Sequence, residues 1–80
     1  MWYVYVLKSQ KDGKFYIGST GNIERRILQH NRGSNVSTRH RRPFELVYSE
    51  AYNTEQEAVR REKQIKSYKG GSAFKRLLTN

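Results

Sequence analysis

Polarity along this chain alternates with period two in some stretches and with a helical period in others, and the changes mark its elements. Residues 2–8 alternate aromatic and β-branched side chains, which predicts a strand. Asp12-Gly13 predicts a turn, since glycine accepts positive φ without a steric penalty, and residues 15–19 predict the returning strand. Pairing Tyr16 with Leu7, or with Ser9, places it on the same sheet face as Tyr3, Tyr5 and Leu7. In the first register Tyr5 and Tyr16 are diagonal neighbours whose hydroxyls can meet one ligand. The period then becomes helical. Asn22 can cap a helix over Ile23–Arg32 with Gly33 as its stop, Ile23 and Ile27 forming the inward stripe with Leu28 beside them. Residues 34–43 read as a basic loop, and Phe44–Tyr52 as a third strand with Phe44, Leu46 and Tyr48 on one face. Thr54-Glu55-Gln56-Glu57 is a capping box opening a second helix that runs to about Tyr68. Gly70-Gly71 ends it. Ser72 can cap a short last helix with Phe74, Leu77 and Leu78 as its apolar residues. The order ββαβαα predicts one α+β domain over residues 1–80, with a three-stranded sheet and helices packed on it.

Composition narrows what such a domain can do. Hydrophobic residues are 35%, so apolar positions must be used economically and the six tyrosines supply much of the contact area. There is no cysteine, which removes disulfides and thiolate zinc sites. No apolar run approaches a membrane span, and the N-terminus lacks the shape of a signal peptide, so a cytoplasmic location is expected. Charge changes the picture most. Sixteen Lys and Arg against seven Asp and Glu give +9, an excess beyond what solubility asks of a small domain. A polyanion compensates such self-repulsion, and nucleic acid is the expected partner.

A few residues do not fit their places. Glu62 lies four residues from Ala58 and three from Ile65, inside the inward stripe of the second helix. A carboxylate there needs a cation or hydrogen bonds; it is either a partly exposed partner of a neighbouring Lys or Arg, or a ligand for a hard cation such as Mg²⁺. Arg26 and His30, four apart, form a second stripe beside the apolar one. They are either a solvated face, or an arginine facing phosphate with a histidine one turn later that hydrogen-bonds or moves a proton. Tyr5 and Tyr16 taken singly are ordinary core aromatics with a hydroxyl at water. His40 sits among Arg39, Arg41 and Arg42 in a loop suited to phosphate contact. Two histidines ten apart give little support to a transition-metal site.

In this order and spacing the residues resemble the GIY-YIG nuclease domain. Tyr3-Val4-Tyr5 stands for the first motif and Tyr16-Ile17-Gly18 for the second. Arg26 follows Tyr16 by ten, His30 follows by four more, and Glu62 lies in the helical "REKQIK". The likeness covers nearly the whole chain and is to small stand-alone members, similar to the N-terminal nuclease module of the excinuclease. It implies a three-stranded antiparallel sheet flanked by helices, and phosphodiester hydrolysis with one divalent ion, Mg²⁺ or Mn²⁺. Under it Tyr5 is the general base, Tyr16 positions the water or shares that role, and Arg26 stabilises the developing charge. Glu62 holds the metal, His30 assists by a hydrogen bond, and Gly18 lets backbone and phosphate approach closely.

Three departures stand out: Tyr3 replaces the first motif's Gly, Ser19 replaces a Lys found after the second motif in some members, and Phe74 falls where an Asn is often found. Family members commonly carry a separate targeting domain. Within these residues, specificity is expected from the loop bearing Arg39, Arg41 and Arg42, from nucleic acid shape, or from a protein partner. The expected substrate is DNA rather than RNA, in branched, damaged or single-stranded form, with a place in DNA repair. The alternatives are a non-catalytic nucleic-acid-binding module and a nuclease subunit activated by a partner.

Overall fold

A computed structural model describes residues 1–79. Strands β1 (Trp2–Ser9), β2 (Phe15–Thr20) and β3 (Phe44–Tyr52) form one antiparallel sheet in the order β2-β1-β3. Helix α1 (Ile23–Arg32) follows β2, and α2 (Glu55–Ser67) and α3 (Ser72–Thr79) follow β3. The fold is the α+β arrangement that the polarity pattern predicts. Gly13, at φ 73°, makes the β1–β2 turn, and Ser9 Oγ accepts from Lys11 N and Asp12 N at 3.2 Å each to close it. Leu7 pairs with Tyr16 and Tyr5 with Gly18, which is the first of the two registers.

β1 is the hub. Val4, Tyr5, Val6 and Leu7 are all buried, because both faces of the sheet are covered. On one face Tyr5, Leu7 and Phe44 pack with Tyr16 and with Ile23 and Ile27 of α1. On the other, Val4 and Val6 pack with Ala58 and Ile65 of α2 and Phe74 of α3, with Leu77 and Leu78 against them. Burying a side chain such as Ile65 contributes about 1.5–3 kcal/mol, and a domain this small has few such residues.

β3 departs from the predicted pattern. Val6 pairs with Tyr48 but Leu7 with Leu46, so Val47 is an extra residue in a bulge. A one-residue bulge reverses the pleat, and Phe44 and Tyr48 end on opposite faces rather than sharing one. Phe44 joins the α1 side, Tyr48 the α2 side, and Leu46 stays well exposed. One strand thereby serves both cores.

Both ends of α1 and the start of α2 follow their capping signals, whereas α3 begins at Ser72 itself rather than after it. Asn22 Oδ1 accepts from Arg25 N at 3.0 Å, Gly33 closes α1 at φ 80°, and Thr54 Oγ1 accepts from Glu57 N at 3.2 Å. Asn31, near the end of α1, brackets Phe44: its Oδ1 accepts from Phe44 N at 2.7 Å and its Nδ2 donates to Phe44 O at 3.3 Å. The basic loop contains a 3-10 turn at Arg39–Arg41. On the α2 side, Glu50 accepts from Tyr48, from Tyr52 at 2.6 Å, and from Arg61 Nε and Nη2 at 2.9 and 3.1 Å, tying β3 to α2. No helix among the described residues is long and apolar enough to cross a membrane.

Candidate active site

The antiparallel pleat brings the two tyrosines together. With Tyr5 opposite Gly18 and Tyr16 opposite Leu7, both side chains leave the α1 face as diagonal neighbours. Their ring centroids are 6.3 Å apart with 29° between planes. Gly18 lies directly under Tyr5. A Cβ built there would run into the Tyr5 hydroxyl and stand 2.7 Å from Cζ, so glycine is required by the ring. The space that a side chain at Gly18 would take is filled by Tyr5.

Helix α1 delivers His30 onto this pair. Its ring centroid is 4.8 Å from that of Tyr16, and its Nε2 is 3.4 Å from the Tyr5 hydroxyl. Phe44 closes the other side at 5.6 Å. His30 and Tyr5 are each 1% exposed, so this is a dry polar contact. Its second ring nitrogen, Nδ1, is 3.0 Å from Oγ1 of buried Thr38. Arg26, one turn before His30, is half-buried, whereas Arg25 faces solvent. Arg26, Gln29 and His30 line one wall of a cleft of about 580 Å³ closed by Ser34, Asn35 and Val36.

Electrostatics bind these groups together. Burial raises the Tyr5 phenol well above its usual range, Tyr16 and the Glu62 charge add to the rise, and Arg26 pulls the other way. Burial, and then the Arg26 charge, lower the His30 pKa and hold the ring neutral.

Glu62 arrives from the other side of the sheet. Ser19 alternates with Gly18 along edge strand β2 and therefore faces α2. Its hydroxyl donates to Glu62 Oε1 at 2.7 Å. Lys66, one turn on in α2, holds Oε2 at 2.6 Å. The carboxylate is 17% exposed against 53% for the lysine, so a pairing with a neighbouring cation is part of this geometry. No group of three or more His, Cys, Asp or Glu that could hold a metal ion occurs among the described residues. A single carboxylate does fit Mg²⁺ or Mn²⁺ of the kind that keeps its waters and takes its other oxygens from a substrate phosphate.

Tyr5, Tyr16, Arg26, His30 and Glu62 thus converge on the β2 side of the sheet. The loop arginines have other engagements. Arg41 Nε donates to Asp12 Oδ2 at 3.2 Å while its carbonyl accepts from Ser9 Oγ at 2.5 Å. Arg42 Nη1 donates to Arg32 O at 2.9 Å, at the end of α1. Arg39 is exposed. Ser19 and Thr38 also touch these groups; the sequence marks Ser19 only as a departure from the second motif, and Thr38 not at all. The period-two alternation of β2 is enough to send Ser19 toward α2; Thr38, inside an aperiodic basic loop, carries no such signal.

The chain matches the family model described as the GIY-YIG catalytic domain over residues 1–74. It is 45% identical to a UPF0213 protein of Staphylococcus saprophyticus and 46% identical to one of Staphylococcus haemolyticus, each over 67 residues that cover 82% of this chain and 80% of the relative. A UPF0213 protein from Bacillus halodurans, solved in solution by NMR, is 37% identical with a TM-score of 0.49, covering 91% of this chain and 90% of that one.

Proposed function

This chain belongs to the GIY-YIG family, whose domains are in general nucleases, and we propose that it is a metal-dependent endonuclease that hydrolyses phosphodiester bonds in DNA. The observation that carries this reading is the convergence of a buried tyrosine, a neutral histidine and a half-buried arginine with a carboxylate from the opposite face.

In this reading Tyr5 takes the proton of the attacking water. It is the phenol that feels both Arg26 and Glu62, and it lies against His30. Burial makes its ionisation costly in the resting protein. Positive charge from Arg26 offsets part of that cost, and a divalent ion held nearby would offset more of it. Tyr16, packed against both Tyr5 and His30, keeps that pair oriented and turns its own hydroxyl to the water. Arg26 faces the equatorial phosphate oxygens and stabilises the charge that develops on them. Glu62, held by Ser19, would hold the divalent ion, which supplies Lewis-acid stabilisation of the phosphate and leaving oxygen. The exposed Arg39 and the rest of the +9 charge gather the polyanion.

The test is incubation with labelled single-stranded, duplex and branched DNA, and with RNA, in Mg²⁺, Mn²⁺ or EDTA. Cutting is expected with metal, with none in EDTA and none by Tyr5→Phe or Glu62→Gln. Binding without cutting on every substrate and metal would sink the enzyme reading in favour of a binding module. Cutting that begins only on addition of a protein partner would make the chain a subunit.

A further inference from the structure

We propose that the cleft between helix α1 and residues 34–36 is a subsite for an unpaired nucleobase next to the scissile phosphate, with Gln29 and Asn35 reading the edge of the base. The subsite rests on the reading of the chain as a nuclease and specifies the part of the substrate beside the reacting phosphate. The cleft exists because Gly33, at φ 80°, turns the chain back over the helix it ends. Ser34 N then donates to Gln29 O at 3.0 Å, and residues 34–36 close a cleft whose other wall is Arg26, Gln29 and His30. Its volume of about 580 Å³ falls within the roughly 300–1,000 Å³ of small-molecule sites.

The lining sorts by chemistry. Among the described residues Arg26 is the one charged side chain on it, since burial holds His30 neutral. Arg26 is near enough to Tyr5 to pull its phenol downward, so a phosphate facing Arg26 sits at the Tyr5 end. The rest of the lining is neutral: the amides of Gln29 and Asn35, the Ser34 hydroxyl, and Val36, which is 69% exposed. That complements a base, which is uncharged, carries donors and acceptors along its edge and has an apolar face. The cleft at the β1–β2 turn is the contrast. Lys11, Lys14, His40 and Arg41 line its roughly 300 Å³ with Asp12 beside them, a lining suited to backbone phosphate.

Asn35 is held for this role. Its Oδ1 accepts from Ser37 N at 3.0 Å and from Ser37 Oγ at 2.7 Å. A backbone N–H only donates, so Oδ1 is the atom turned to Ser37 and both hydrogens on Nδ2 remain. Among the described residues they have no protein acceptor, and the half-buried Gln29 side-chain amide has no protein partner either. Asn35 O accepts from Thr38 N and Arg39 N at 3.1 and 3.0 Å, which anchors the backbone that carries the amide. Asn35 therefore offers donors to acceptors on a base, while Gln29 can turn either end of its amide to the edge. A base inside a duplex is paired and stacked, so the occupant belongs to a single strand, a loop or an extruded nucleotide.

The experiment titrates the full ¹⁵N-labelled chain, in EDTA, with the dinucleotide TpT and with its analogue in which both bases are replaced by hydrogen. ¹H–¹⁵N spectra should show TpT moving the side-chain amides of Gln29 and Asn35. TpT should also bind roughly tenfold or more tightly than the abasic analogue, from two hydrogen bonds of about two- to tenfold each. Gln29→Met keeps the shape and removes the amide. Asn35→Asp keeps the acceptor for Ser37 and removes the donors, and its added charge weakens both ligands alike. Each variant should therefore cut the ratio of the two affinities by about two- to tenfold. A ratio near one in the unaltered protein overturns the proposal, as does a ratio that both folded variants keep, or TpT shifts that spare both amides. Base discrimination by a chain that cuts no substrate supports the subsite and removes the nuclease reading instead. Cutting by a chain whose ratio is near one does the reverse.

Discussion

Replacing Gly18 with Ala tests whether the second motif's glycine exists for Tyr5. The added methyl would collide with the Tyr5 hydroxyl and lie 2.7 Å from Cζ and 3.2 Å from Cε1. Carbon atoms rest about 3.5–4.0 Å apart, so relief needs a movement on the order of 1 Å. The ring has nowhere to go, since Tyr5 is 1% exposed and wedged between Tyr16 and His30. Overpacking of this kind costs about 1–3 kcal/mol. At about 4–8 °C per kcal/mol for a domain of this size, the melting temperature should fall by roughly 5–20 °C. A base displaced by about 1 Å should also lose on the order of a hundredfold in rate. Combining Gly18→Ala with Tyr5→Phe removes the closest clash, so the double variant should regain part of the stability and none of the activity. Thermal melts beside single-turnover cleavage assays decide the matter. An alanine that melts with the parent protein and weakens only DNA binding would refute the packing argument and return Gly18 to admitting phosphate.

Glu62→Gln keeps an acceptor for Ser19 and loses a partly exposed i,i+4 pair worth about 0.3–0.5 kcal/mol, so it should melt within about 4 °C of the parent. Any Mg²⁺-induced rise in melting temperature should disappear along with cleavage; a variant that melts far lower yet still cuts would make the carboxylate structural. Arg39→Ala should flatten the slope of log affinity against log salt on duplex DNA by about 0.9 with no thermal cost. Removing Arg41 and Arg42 together should flatten it by about 1.8 and lower the melting temperature as well, because both arginines hold the loop. Unchanged slopes would place the polyanion surface elsewhere. Burial raises Glu50, but hydrogen bonds from Arg61, Tyr48 and Tyr52 outweigh it and leave its pKa below the usual 4.5. A depressed carboxylate contributes stability that is present above its unfolded value and lost as pH falls through the folded one. Urea melts from pH 7 to pH 3 should show that loss in the parent and not in Glu50→Gln; identical pH slopes would disprove it.

Much of this is legible in the sequence because it depends on short-range periodicity. The Tyr5–Tyr16 diagonal follows from alternation once the register is known, and Arg26 and His30 share a helical stripe. Where the sequence misleads, a non-local event intervenes. The bulge at Val47 is set by pairing with β1, and nothing within residues 44–52 announces that the pleat reverses there. Glu62 stands out as misplaced on an apolar stripe, but its partners lie on β2 and one turn along its own helix. Thr38 is invisible because burial in an aperiodic loop is decided wholly by what packs over it.

The groups of this site come from both faces of the sheet, and that ordering has a consequence in time. Tyr5, Tyr16, Arg26 and His30 belong to the first two strands and first helix, whereas Glu62 belongs to a helix made later and packed on the far face. A chain emerging from the ribosome, or one whose last two helices have swung away, would keep its arginines and still cling to nucleic acid. In the proposed reading it would hold the strand without breaking it. In that reading the docking of α2 completes the site, so cutting would be confined to chains that have finished folding.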